Sequence, residues 1–141
     1  MKSLVGTTRW TTRTAHRGAT HTNCRLLVVD DYRPGAEALT AALSQAGYDA
    51  RCVLGGPAAL LAVAAQMPDI VVLDINMPGM DGYAVARILR LDVTAEHLII
   101  VAFTAQDEPA VRANGMAAGF DAYCQKGGAP GPLLRLIEQI K

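Results

Sequence analysis

Asp74 stands between an apolar run, Ile70–Leu73, and the turn-rich loop 77–82, in the stretch IVVLDINMPGMDG. A carboxylate so placed lies at the mouth of a buried sheet. Other polar groups follow apolar runs in the same way: Asp30 and Asp31 after LLVV, Thr104 after IIVAF, and Lys126 after FDAYCQ. If those runs are neighbouring parallel strands, all of these groups meet on one edge. A nucleophilic carboxylate, an acidic pair suited to a divalent cation, a hydroxyl and an ammonium are the parts needed to accept a phosphoryl group.

The elements that must position them alternate between strand and helix five times from Arg25 onward. Residues 25–30 form a buried strand, and Pro34, suited to a first turn, opens a helix over 34–46 that Gly47 stops. Ala36, Leu39, Leu43 and Ala46 make its inner face. Residues 48–53 alternate in polarity, as on an edge strand. Gly55, Gly56 and Pro57 open a second helix that ends near Met67. Ile70–Leu73 is apolar on both faces and therefore central. Asp81 caps a third helix running to about Leu91. Strands over 97–103 and 120–124 and helices over 108–117 and 133–140 complete the series. Leu133, Leu136, Ile137 and Ile140 point inward from the last helix. Right-handed crossovers then give an α/β doubly wound, five-stranded parallel sheet with five helices. Such sheets bind ligands where the winding reverses, between strands one and three in the order 2-1-3-4-5. Those strand ends carry Asp30 with Asp31, and Asp74.

Composition fits one domain, over 24–141. The 141 residues are 51% hydrophobic, with 5% aromatics and a mean hydropathy of +0.21, enough for a core built from Ala, Val, Leu and Ile. No apolar run approaches the roughly 20 residues that span a bilayer, and residues 1–23 lack a secretory apolar stretch. A cytoplasmic protein without a membrane partner is expected. Cys24, Cys52 and Cys124 are odd in number and widely spaced, which argues against a disulfide framework or a zinc site. Reduced thiols are expected, with Cys52 and Cys124 packed.

A formal net charge of zero conceals an asymmetry. The first 24 residues carry Lys2, Arg9, Arg13 and Arg17 and no acid, so the remainder is acidic by the same amount. The tail, MKSLVGTTRWTTRTAHRGATHTN, is rich in threonine and shows neither a helical nor a strand period. Over residues 1–23 a disordered segment or linker is therefore expected. Four basic residues among threonines are weak support for a nucleic-acid arm, and none is expected. An Arg-rich, acid-poor start also resembles a transit peptide, with nothing else in the chain to support an organelle.

Over residues 25–141 the stretches LLVVDDYRP, VVLDINMPGMDGYAVARILR, VAFTA and FDAYCQK occur in order. Together they resemble a response-regulator receiver domain of two-component signalling, either a single-domain chemotaxis-type regulator or the receiver of a hybrid histidine kinase. The resemblance implies a flavodoxin-like fold with Asp74 as phosphoacceptor. It implies magnesium, with manganese as a substitute, held by Asp31, Asp74 and the backbone carbonyl of Asn76, and by Asp30 largely through water. Thr104 and Lys126 would contact phosphoryl oxygens, Tyr123 would turn inward as Thr104 moves, and Asn76 and Gln106 would flank the approach to Asp74. The implied donor is a histidine kinase or His-containing phosphotransfer protein. The implied output is a protein partner at the face of the fourth helix, fifth strand and fifth helix, in a monomer or weak dimer. The chain stops at its last helix, so no DNA-binding output domain is expected. Nor is enzyme activity expected beyond the domain's own phosphoryl transfer and dephosphorylation.

Each residue also has a plainer reading. Asp74 could cap its own turn, Thr104 could satisfy a turn, Lys126 could be a solvated charge, and Tyr123 could pack at the sheet rim. A pseudo-receiver used only for docking is the alternative function, although such a domain would lack the acceptor or the acidic pair. A haloacid-dehalogenase-type phosphatase needs a second acid two residues after its nucleophile, where this chain has Asn76. Neither GxGxxG nor a P-loop is present. One departure from the receiver pattern stands out: Gly127 and Gly128 follow Lys126 where the family usually has proline. A cis bond there costs about 2.5 to 4 kcal/mol without proline. A looser Lys126 loop, and a less complete switch on phosphorylation, are expected.

Overall fold

The structure is a computed structural model that describes residues 6–15 and 24–141. Its strands are β1 (Thr7–Arg9), β2 (Arg25–Val29), β3 (Asp49–Val53), β4 (Ile70–Leu73), β5 (Ile99–Thr104) and β6 (Ala122–Gln125). The helices are α1 (Arg33–Gln45), α2 (Gly56–Ala65), α3 (Gly82–Arg90), α4 (Glu108–Ala118) and α5 (Gly131–Ile140), with a 3-10 turn at Val93–Ala95. Among the described residues, one sheet contains every strand, in the order β1-β6-β5-β4-β2-β3. The five parallel strands, β2 to β6, reproduce the expected order 2-1-3-4-5, with β3 at one edge.

Alternation along the strands divides the core in two. On β2, Leu27 and Val29 pack with Ala59 and Val63 of α2, Val85 and Leu89 of α3, and Val111 of α4. Leu26 and Val28 face the other way, toward Leu39 and Leu43 of α1 and Leu133, Leu136, Ile137 and Ile140 of α5. Strand β4 is buried at all four residues because helices cover both of its faces. The helix boundaries follow local chemistry. Pro34 lies in the first turn of α1, Asp81 accepts a hydrogen bond from the Ala84 N–H at 2.9 Å, and Asp107 accepts one from the Ala110 N–H. Gly119, at φ 103°, ends α4 in the left-handed conformation that glycine tolerates.

Three local expectations need correction. Ala46 is exposed, because α1 ends at Gln45 and Ala46 is its C-cap. The strand expected at 97 starts at Ile99, after the 3-10 turn that Asp92 caps. The strand expected at 120 starts at Ala122. Cys124 is buried and Cys52 half-buried against the α1 and α5 side of the core. Among the described residues, no helix is long and apolar enough to cross a membrane.

The larger departure is at the N-terminus. Residues 1–5 and 16–23 lie outside the described residues, but part of the expected disordered tail is an ordered sixth strand. β1 pairs antiparallel with β6, with Thr7, Thr8 and Arg9 opposite Cys124, Tyr123 and Ala122. The sheet is therefore mixed rather than wholly parallel, and the edge that β6 would expose is covered. Asp121, just before β6, anchors this addition. Its backbone carbonyl accepts hydrogen bonds from Trp10 and Thr11, and its carboxylate accepts from Thr11, Arg13, Arg90 and the Ile100 N–H. Arg13 also donates to the Glu96 carbonyl, and Arg9 to the Arg13 carbonyl. These guanidinium groups are engaged within the fold.

Asp121 is 2% exposed, so its charge depends on these partners. Asp121→Ala would strand the half-buried Arg90 and is expected to lower unfolding free energy by about 3 kcal/mol in urea titrations. Arg13, whose side chain is 38% exposed, is worth less. Arg13→Ala is expected to cost about 1 kcal/mol.

Candidate functional site

In-register pairing assembles the site. Val29 on β2 lies opposite Leu73 on β4, so the residues that follow, Asp30 and Asp74, emerge side by side. Thr104 on β5 lies opposite Gln125 on β6, which brings Lys126 to the same edge. Backbone bonds fix the exits: Asp74 N–H to the Val29 carbonyl at 2.9 Å, and Lys126 N–H to the Thr104 carbonyl at 2.8 Å. Behind Asp74, the loop folds back so tightly that a Cβ on Gly82 would stand 2.3 Å from the Asp74 carbonyl oxygen and 2.8 Å from the Ile75 Cα. That close approach is why glycine follows the capping Asp81.

Charge is concentrated at this edge. Asp30 and Asp74 are each 6% exposed, and Asp31 is exposed beside them. One carboxylate oxygen from each of the three lies within 4.8 Å of the others. Lys126 Nζ reaches Asp30 at 2.7 Å and Asp74 at 3.4 Å, and lies 5.6 Å from the centre of the Phe103 ring. The Gly127–Gly128 step thus leaves the ammonium on both carboxylates. Burial opposes the charge of Asp30, but hydrogen bonds from Lys126 and the Tyr32 N–H outweigh it and hold its carboxyl below the usual range. Burial pushes the Asp74 carboxyl up and the neighbouring Asp30 charge adds to this, while Lys126 offsets only part. Burial also works against the Lys126 charge, yet the two carboxylates hold its ammonium more basic than usual. Three clustered carboxylates facing one ammonium leave a negative excess. An oxygen-donor set with that excess fits a hard divalent cation.

The remaining candidate residues lie close by. Asn76 is exposed on the loop, with its N–H 3.4 Å from Asp74 Oδ1. A groove of about 380 Å³ between α1 and the 126–130 loop opens beside Asp30 and Lys126, lined also by Tyr32, Leu39, Phe103 and Pro130. Thr104 and Tyr123 converge on Gln106. The fully buried Thr104 hydroxyl accepts from the Gln106 N–H at 3.3 Å, and the Tyr123 hydroxyl donates to the Gln106 carbonyl at 2.7 Å. Tyr123 is itself only 2% exposed.

Sequence reasoning missed what lies outside Tyr123. Trp10 stacks on it with ring centroids 5.9 Å apart and 20° between planes. The Trp10 indole N–H and the Thr8 hydroxyl each donate, at 2.8 Å, to one carboxylate oxygen of Glu108 in the first turn of α4. The available signals were the chain's single tryptophan set among β-branched threonines, and an aspartate, Asp121, within an apolar run.

A family profile described as "Response regulator receiver domain" matches residues 26–138. Response regulator PleD of Caulobacter vibrioides is 38% identical over 104 residues, covering 74% of this chain and 23% of that protein. Response regulator MprA of Mycolicibacterium vanbaalenii is 43% identical over 102 residues, covering 72% of this chain and 43% of that protein. The chain thus spans less than half the length of these relatives. Chemotaxis response regulator CheY4 of Vibrio cholerae superposes with a TM-score of 0.80 at 25% identity, covering 85% of this chain and 100% of that one. TrrA of Thermotoga maritima, in complex with Mg²⁺-BeF, gives a TM-score of 0.73 at 29% identity over 83% of this chain and 98% of that one.

Two outcomes follow from the geometry. Gly82→Ala must push its Cβ into rigid backbone and is expected to destabilise the chain by about 2 kcal/mol or more in urea titrations. Burial, with the charges of Asp107 and Glu108, pushes the Tyr123 phenol from 10.0 up to about 12. The folded state therefore holds this proton more tightly than the unfolded chain does. Its contribution is complete below pH 10 and is lost as pH rises through 12. Tyr123→Phe is expected to flatten that part of the alkaline stability profile.

Proposed function

The chain belongs to the response regulator receiver domain family, whose members are phosphoacceptor signalling modules, and on that premise we propose that Asp74 accepts a phosphoryl group from a histidine kinase or a phosphotransfer protein. The observation that carries this reading is the convergence of Asp30, Asp31 and Asp74 with Lys126 at one sheet edge. A carboxylate oxygen of Asp74 attacks phosphorus in line, the phosphorus–nitrogen bond of the donor phosphohistidine breaks, and the imidazole leaves. Lys126 moves from the carboxylates to the transferred group as a point charge. Thr104 turns its hydroxyl from the Gln106 N–H toward a phosphoryl oxygen, while Tyr123, which already lies inward on the Gln106 carbonyl rather than turning there as Thr104 moves, keeps that bond.

Asp31, Asp74 and the Asn76 carbonyl would hold magnesium, with manganese as a substitute, and Asp30 would act through water. Bound there, the ion offsets the excess negative charge of the cluster and of the incoming phosphoryl group. The relative from Thermotoga maritima in complex with Mg²⁺-BeF supports the assignment. The reverse step is attack by water in line with the Asp74–phosphorus bond, and Asn76 and Gln106, both exposed beside that approach, tune its rate. Movement of the 104–108 loop alters the α4, β6 and α5 side of the molecule, where an output protein is read. We place the domain in the cytoplasm.

Intact-mass spectrometry after incubation with Mg²⁺ and acetyl phosphate tests the proposal. The wild-type chain is expected to gain one phosphoryl group and Asp74→Asn none. Lys126→Met is expected to slow the gain by about 10²-fold, the usual cost of losing one charge-stabilising group. An unmodified wild type that nevertheless binds Mg²⁺, or an Asp74→Asn that still gains the group, would sink it.

A further inference from the structure

The side of the molecule formed by α4, β6 and α5 is already covered by the chain itself. From Gly6, whose carbonyl accepts the Gln125 N–H at 2.7 Å, the segment pairs along β6 and reaches α5, where the Ala15 N–H donates to the Ile140 carbonyl at 2.8 Å. On its way it places Trp10 against α4. Glu108 and Gly115 are seven residues apart on that helix and therefore share a face. Glu108 takes the Trp10 N–H, while a Cβ on Gly115 would stand 2.6 Å from the indole. Glycine within a helix is unfavourable relative to alanine. Here its missing side chain is the seat of the ring.

The space outside Tyr123 is thus filled by an indole anchored at both of its ends. An outward Tyr123 ring would have to displace it. We propose that residues 6–15 are a built-in clamp on the switch, in which Trp10 acts as a positioning residue that holds Tyr123 inward on Gln106. The contacts form a continuous chain from the acidic cluster's edge to the N-terminal segment: Thr104 hydroxyl, Gln106 backbone, Tyr123 hydroxyl, Tyr123 ring, Trp10. Glu108, two residues beyond Gln106, ties the same loop to Thr8 and Trp10. The coupling has a definite sign, which rests on the reading of Asp74 and Tyr123 above. Docking of the clamp and phosphorylation of Asp74 both favour inward Tyr123, so by linkage each favours the other. A partner approaching this side meets the clamp before it meets β6.

Nuclear magnetic resonance of the full chain and the acetyl phosphate labelling rate test the clamp together. The unphosphorylated wild type is expected to show contacts between Trp10 and Tyr123 ring protons and a single Tyr123 side-chain rotamer. Trp10→Ala removes the ring, whereas Gly115→Ala strengthens the helix while closing the seat, so the two variants reach one effect by different routes. In both, Tyr123 is expected to average between rotamers, and because labelling proceeds through the inward state, Asp74 is expected to label about five-fold more slowly as the population of that state falls. Absence of the ring contacts in the wild type overturns the proposal, as does a Tyr123 that stays fixed inward in both variants or labelling at the wild-type rate in both. If the wild type takes no phosphoryl group at all, the assignment of Asp74 fails. The ring contacts and rotamer populations then still decide the clamp.

Discussion

In-register pairing of the parallel strands is the constraint on which the rest depends. Because β2, β4, β5 and β6 pair in parallel, their carboxyl ends share one edge, and whatever follows each strand is delivered there. Val29 opposite Leu73 makes neighbours of Asp30 and Asp74, which are far apart in the chain. A slip of one residue on either strand would turn its alternating side chains to the wrong core and carry its aspartate off the edge. The two-sided apolar packing that fixes the register therefore also fixes the site.

That delivery creates an electrostatic problem which the fold solves only in part. Asp30 and Asp74 are nearly buried, and one ammonium, Lys126, serves both. Asp30 holds the closer share of it, and Asp74 is left with a carboxyl pushed upward by burial and by its neighbour. A site left short of positive charge is one that a cation could occupy. Most ion pairs elsewhere lie on the surface, where they are worth little.

Asp121 shows the opposite outcome. It is also buried, but Arg13, Arg90, Thr11 and the Ile100 N–H satisfy it completely enough to make it a structural anchor. Its backbone carbonyl then fixes the N-terminal segment, which carries Trp10 onto Tyr123. The two buried acid centres lie on either side of Thr104 and Tyr123. One is left with incompletely compensated charge, while the other holds the segment that covers the far side.

The alternation of strands and helices, the central position of Ile70–Leu73, the Asp81 cap and the residues gathered at the candidate site are all legible in the sequence. Each of these is written locally, in apolar period, cap residues or the polar group that ends a strand. The sequence did not determine β1. A strand of three residues, Thr7–Arg9, has too few positions to show a period, and its partners lie about a hundred residues away. Only the tertiary structure could decide that Glu108 is more than a first-turn acid, that Gly115 is a seat rather than a flaw, and that Lys126 reaches both carboxylates despite the glycines after it. The physical reason is common to all three: the energy of each contact depends on a group that the chain brings close only once the sheet has formed.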